Sequence, residues 1–228
     1  EVEGFSNFGS YVGTGASGNT VVTGFEPAFV MVKNTTTAGF NWMMNDNKRN
    51  PSNPRNSGLL ANSSNAEGTS AGYAVDFLEN GFKINNIGDY NTNSGNKFIY
   101  MAFAADPTAV EPTLADSFNT VTYSGNSTND AGTALTQPVT GVGFEPDFVW
   151  IKNRNSTYPH GLFDNVRGAT KLLQSMSTGA EIQSDGYLKS FDTDGFGLGG
   201  DYAFNRSGYT YVAWNWKGAE IPAINSNG

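Results

Sequence analysis

TGFEPAFVMVKN at residues 23–34 returns as VGFEPDFVWIKN at residues 142–153, and the reading of this segment decides the fold. Each copy runs from Glu-Pro into a short continuous apolar stretch, Phe29-Val30-Met31-Val32 or Phe148-Val149-Trp150-Ile151. Proline is tolerated at the start of a strand, where its missing N–H costs no ladder bond. Apolar residues at successive positions put hydrophobic surface on both faces, the mark of a central or doubly covered strand.

Working outward, the other landmarks repeat in the same order. DNKR at 46–49 returns as DNVR at 164–167, and Leu59-Leu60 as Leu172-Leu173. GYAVDFLENGFKI at 72–84 returns as GYLKSFDTDGFGL at 186–198, and SGNKFIYMAFA at 94–104 as SGYTYVAWNWK at 207–217. The offset is 119 residues at Phe25/Phe144, 114 at Gly81/Gly195 and 113 at Gly95/Gly208, so the register barely drifts. This is duplication within one chain. Asn80-Gly81 and Asp194-Gly195, flanked by aromatic-rich runs, predict two-residue hairpin turns. The stretch Phe98 to Phe103 and its partner Tyr209 to Trp216 are aromatic and β-branched, as a core strand requires. The expectation is an all-β protein of two tandem β-sandwich or jelly-roll-like modules, with one larger sandwich built from both repeats as the alternative. The expected division is a first repeat over 1–106, a Pro-containing linker over 107–116, a second repeat over 117–218 and a tail over 219–228.

Composition suits this architecture. Hydrophobic residues make up only 38 % of the 228, but aromatics supply 13 %, and each large ring buries about 150–250 Å². The 28 glycines and the many Asn, Ser and Thr are turn chemistry at frequent intervals. A net charge of −8 argues against nucleic acid, which needs a basic surface, and against docking on anionic membranes. The absence of cysteine excludes thiolate metal sites and thiol catalysis. No apolar run approaches the roughly 20 residues that span a bilayer as a helix. EVEGF opens without a signal peptide, and the chain reads as a mature fragment or a piece of a longer protein.

Candidate chemistry is sparse. Asp185, Asp192, Asp194 and Asp201 could offer the paired carboxylates of a glycoside hydrolase. The repeat places Leu78 and Asn80 opposite Asp192 and Asp194, so Asp194 reads as a turn residue, and no catalytic residue is assigned. Calcium on Asp192 and Asp194 is an alternative, but the full loop spacing is missing, and no metal or cofactor is expected. Asp46 and Arg49, matched by Asp164 and Arg167, read as a carboxylate cap with an arginine holding the loop, rather than as ligand contacts. Gly81 and Gly195 belong to the same structural set. His160, the only histidine, is expected in a surface loop. Trp42, Tyr90, Tyr158 and Tyr202 sit in polar or Gly-rich surroundings, where a flat ring beside amides could stack on a sugar or fold back over the sandwich edge.

GFEPAFVMVK, NWMMNDNKR, VDFLENGFKI and FIYMAFA, with FDNVRGATKLL, SFDTDGFGLGG and YVAWNWKG in the second copy, resemble the repeated, lectin-like β modules of phage tail-fibre and other virion structural proteins. The likeness covers nearly the whole chain. It implies a virion or extracellular location, other virion proteins and a host-surface glycan as partners, and a homo-oligomer. It brings no catalytic residues. A non-enzymatic adhesion module is the expected function, with a purely structural subunit or a polysaccharide depolymerase as alternatives. The loop around 50–58, longer in the first copy, is where binding or assembly specificity is expected to differ.

Overall fold

The computed structural model describes residues 4–85, 94–104, 117–130 and 137–218. In the first repeat the strands are β1 (Ser6–Val12), β2 (Asn19–Val22), β3 (Phe29–Asn34), β4 (Met43–Asp46), β5 (Ser57–Leu60), β6 (Gly68–Thr69), β7 (Val75–Leu78), β8 (Gly81–Ile84) and β9 (Lys97–Phe103). The second repeat carries β10 (Phe118–Ser124), β11 (Gln137–Thr140), β12 (Phe148–Asn153), β13 (Gly161–Asp164), β14 (Lys171–Leu172), β15 (Ile182–Gln183), β16 (Leu188–Asp192), β17 (Gly195–Leu198) and β18 (Thr210–Trp216). One short helix, α1 (Tyr202–Asn205), precedes the last strand.

The fold is all-β, and each copy closes its own sandwich. A large sheet runs β1-β9-β3-β4-β5-β6 and faces a small sheet β2-β8-β7. The second copy repeats the plan with β10-β18-β12-β13 and β11-β17-β16, while β14-β15 continues the large sheet through the Leu162–Leu173 bridge. Outer strands pair in nested fashion, β1 with β9 and β2 with β8, as in a jelly roll. The third strand then turns back in a hairpin with β4 instead of crossing over. Among the described strands, none of one repeat pairs with a strand of the other. The predicted linker and tail lie outside the described residues.

Hydrophobic burial explains the layers. Val30, Val32, Phe98 and Ala102 of the first large sheet meet Val21, Phe77, Phe82 and Ile84 of the small one. Val149, Ile151, Tyr211 and Ala213 meet Val139, Leu188, Phe196 and Leu198 in the second copy. A third core joins the outer faces of the two large sheets, where Phe29, Met31, Met44, Leu59 and Phe103 pack with Phe118, Val212 and Trp214. The GFEP strand is therefore apolar on successive residues because one face fills its own sandwich and the other fills the join. Phe29 stands 5.8 Å, ring centre to ring centre, from both Phe118 and Trp214.

Two sequence pairings shift by one residue. The hairpin loops are Glu79-Asn80 and Thr193-Asp194, so Gly81 and Gly195 open the second strands instead of sitting within the turns. A Cβ at either glycine would overlap the carbonyl oxygen of Val21 or Val139 on the neighbouring strand, which is the reason for glycine there. Leu59 pairs with Met44 and Leu173 with Leu162, so these two leucines correspond, not Leu59 with Leu172. One residue of slip exchanges the faces of a strand. Leu172 accordingly belongs to the sandwich core, whereas Leu59 points into the join.

Candidate functional site

Three loops converge at one end of the second sandwich. Arg206, the residue that caps α1, holds its guanidinium carbon 4.9 Å from the ring centre of Tyr202 and 4.8 Å from that of Tyr209. Its Nη1 donates to the Tyr158 hydroxyl at 3.4 Å. The Tyr202 hydroxyl donates to the Thr128 carbonyl at 2.8 Å, and the Tyr202 N–H to Asp130 Oδ1 at 2.7 Å. An arginine between two aromatic faces is held by cation–π attraction while its outer N–H groups stay in water.

Buried polar groups fix this surface from beneath. The Tyr211 hydroxyl donates to the Tyr202 carbonyl at 3.0 Å and accepts from the Arg206 N–H at 2.7 Å. Asn205 donates to the Gly199 carbonyl and accepts from the Asn126 N–H. Asp201 caps α1 by accepting from the Ala203 N–H at 2.8 Å, and burial, with Asp130 nearby, raises its carboxyl to about 6. The result is a rigid arrangement of phenol rings, one guanidinium and two carboxylates, which can stack on a flat ligand face and donate to its oxygens.

Of the aromatics singled out from sequence, the structure brings Tyr158 and Tyr202 together around Arg206. Trp42 lies elsewhere, half-buried on the large sheet of the first repeat beside the join, and Tyr90 lies outside the described residues. Sequence reasoning missed Arg206 and Tyr209. The repeat itself carried the signal, since Asn93 and Asn96 flank the same Ser-Gly pair in the first copy. The Tyr–Arg cluster thus belongs to the second copy.

The Asp-Arg pairs form one device at two places. Arg49 Nε donates to Asp46 Oδ2 at 2.5 Å, its N–H to Asp46 Oδ1 at 2.9 Å, its Nη1 to Glu67 at 3.0 Å and its Nη2 to the Met44 carbonyl at 2.9 Å. Arg167 makes the same four bonds, to Asp164 twice, to Glu181 and to the Leu162 carbonyl. Only the first device is sealed between the repeats. Its Asp46 also accepts from Trp214 Nε1 at 3.1 Å, and its Glu67 binds Arg154 of the second repeat at 2.9 and 3.1 Å. Burial alone would lower the Arg49 pKa, but Asp46 and Glu67 reverse this and hold it above its usual value.

His160 corrects the expectation of a surface histidine, for it is fully buried in the join. Its Nδ1 accepts from Trp150 Nε1 at 2.8 Å, which leaves the proton on Nε2 to donate to the Leu60 carbonyl at 2.9 Å. Desolvation, with Lys152 and Arg49 adding positive charge, lowers its pKa to about 3. Asp194 accepts from the N–H groups of Gly141 and Gly143, which lower its carboxyl from the ordinary value. Its carboxylate therefore ties the hairpin to the loop before the GFEP strand. Among the described residues no three His, Asp or Glu side chains gather as metal ligands. In the long 50–58 loop, Arg55 bridges to Val75 and covers the Phe77 ring at 4.7 Å, while residues 51–54 are exposed.

A family model described as a domain of unknown function, DUF7483, matches residues 1–107 and again 113–228. The chain belongs to this family. Two DUF7483 matches in one chain accord with the duplicated landmarks and with the two sandwiches. No curated protein and no solved structure matched the chain.

Proposed function

We propose that this DUF7483 pair is a non-enzymatic adhesion module of a phage virion appendage that recognises a host-surface glycan through the second repeat. The observation that supports this reading is Arg206 held between Tyr202 and Tyr209 with Tyr158 at its tip. Aromatic faces suit the apolar side of a sugar ring. The guanidinium and neighbouring backbone groups suit its hydroxyls or a carboxylate. The virion setting rests on the sequence resemblance alone.

The test is binding of a multimerised chain to a panel of bacterial surface polysaccharides, with released reducing ends assayed in the same wells. Binding without release, lost in Arg206→Ala and Tyr209→Ala but kept in Tyr158→Phe or weakened less, supports the adhesin. Release of reducing ends would replace it by a depolymerase. A second reading, a particle-building subunit, is favoured by a different observation: among the described residues, an apolar groove beside the join on the first large sheet is left with Phe8 and Ile99 exposed.

A further inference from the structure

The two repeats bring corresponding faces of their large sheets to the join. By strand register Phe8, Met31, Ile99 and Met101 of the first repeat correspond to Thr120, Trp150, Val212 and Trp214 of the second. In the second repeat Thr120, Val212 and Trp214 are buried. The covering there includes the 61–67 arm of the first repeat, whose Glu67 bonds Arg154 through its backbone N–H as well as its carboxylate. Among the described residues, no such arm lies over Phe8 and Ile99 of the first repeat. Phe8 is 49 % and Ile99 41 % exposed, and with Trp42, Tyr100, Met31 and Met101 they line a groove of about 380 Å³.

The second repeat has an arm of the same kind, which touches the first repeat where the Ser175 hydroxyl donates to the Ala61 carbonyl and leaves apolar side chains exposed around that point. Residues 175–181 correspond to 61–67, since Glu67 and Glu181 hold the matching arginines. Leu173, Met176 and Ile182 on and beside this second arm are 38 %, 37 % and 45 % exposed. The Leu162–Leu173 and Lys171–Gln183 pairings anchor the arm to its own repeat at both ends. Arm and groove nevertheless form one continuous surface. Ser175 lines the crevice between the repeats together with Met31 and Trp42, and those two residues also line the groove.

We propose that the groove receives the 173–182 arm of a second copy of this chain, and that the exchange is reciprocal, giving a closed twofold homodimer. A surface that carries both an arm and the groove for it is self-complementary, which is what a twofold contact requires. Continuity with the existing join gives the partner its seat: the second copy extends the same apolar layer past Trp42 and Met31. This deepens the particle-building reading and does not depend on the glycan reading, because the Tyr–Arg cluster shares no residue with arm or groove.

Light scattering coupled to gel filtration, on the full chain at tens of micromolar, tests the proposal. The expected result is twice the monomer mass, falling to monomer mass in both Ile99→Glu and Met176→Glu, with circular dichroism and melting temperature near those of the parent. Both side chains are exposed, so loss of folding is not the expected route. Mixing the two variants should restore dimers, because a mixed pair keeps one intact arm and one intact groove. A monomeric full chain overturns the proposal, as does a dimer indifferent to both substitutions, or a mixture that stays monomeric. Larger polydisperse masses overturn the closed pair. A chain that dimerises only once residues 219–228 are removed assigns the groove to its own terminal segment and also overturns it.

Discussion

Trp214 Nε1 donates to Asp46 Oδ2 at 3.1 Å, and this bond ties the last strand of the second sandwich to the end of β4 in the first. Asp46 is fully buried and already accepts from Arg49, so the indole supplies a further donor to a charge removed from water. A hydrogen bond to a charged group contributes about 1.5–3 kcal/mol. Trp214→Phe keeps a ring against Phe29 but removes the donor. Its expected cost lies in that range, read as a lower urea midpoint.

Arg49 and Arg167 make the same four bonds, yet their settings differ. The Arg49 and Asp46 side chains have 0 % exposure, against 23 % and 24 % for Arg167 and Asp164. Removing one partner of a buried ion pair leaves an uncompensated charge and costs about 3–5 kcal/mol, whereas exposed pairs are worth about 0–1 kcal/mol. Arg49→Met is therefore expected to destabilise the chain several-fold more than Arg167→Met in parallel urea titrations. Equal losses would mean that the join does not seal the first device.

Gly81 and Gly195 test the repeat from inside each sandwich. Each is the residue where a Cβ would meet a backbone carbonyl, Val21 or Val139, that has no flexible end to move. Gly24, with φ +89° and open space around its Cβ position, faces only conformational strain. Gly81→Ala and Gly195→Ala are expected to cost more than Gly24→Ala, whose positive φ alone accounts for about 1–2 kcal/mol. Thermal melts of the three variants rank them directly.

Much of the fold was legible because duplication states each strand twice. The doubly apolar GFEP strand announced cover on both faces, but not that the second cover would be the other repeat. That depends on side chains such as Glu67, whose partner Arg154 is far away in sequence and belongs to the other copy. His160 misled for the same reason: its Ser-Thr-Tyr-Pro context reads as a loop, and only the join buries it. In the candidate site, Tyr158 and Tyr202 stood out as aromatics in polar surroundings. Tyr209 was hidden in the run to Trp216, because the strand begins one residue later at Thr210 and leaves that ring outside it. Arg206 differs from Asn93 at the matching place of the first copy, but its role emerges only when three loops fold onto it.

The buried imidazole gives the join a pH dependence whose sign can be worked out. His160 has a pKa of about 3 in the folded chain, below the ordinary value of 6.5 that it regains on unfolding. Between these values the unfolded chain binds more protons, so stability is complete above about 6.5 and falls as pH drops toward 3. The slope contributed by one such group reaches about 1.4 kcal/mol per pH unit. Asp201 acts in the opposite sense over part of that window, because its raised value of about 6 makes the folded chain the better proton binder below it. Subtracting a variant separates the two. His160→Gln keeps an amide donor for the Leu60 carbonyl and cannot titrate, so it should be less stable at pH 7 and lose less on acidification. Urea midpoints at pH 7, 5.5 and 4.5 for both proteins give the comparison. Parallel curves would show that His160 is protonated in the folded chain and that the Trp150–His160–Leu60 chain of hydrogen bonds does not hold it neutral.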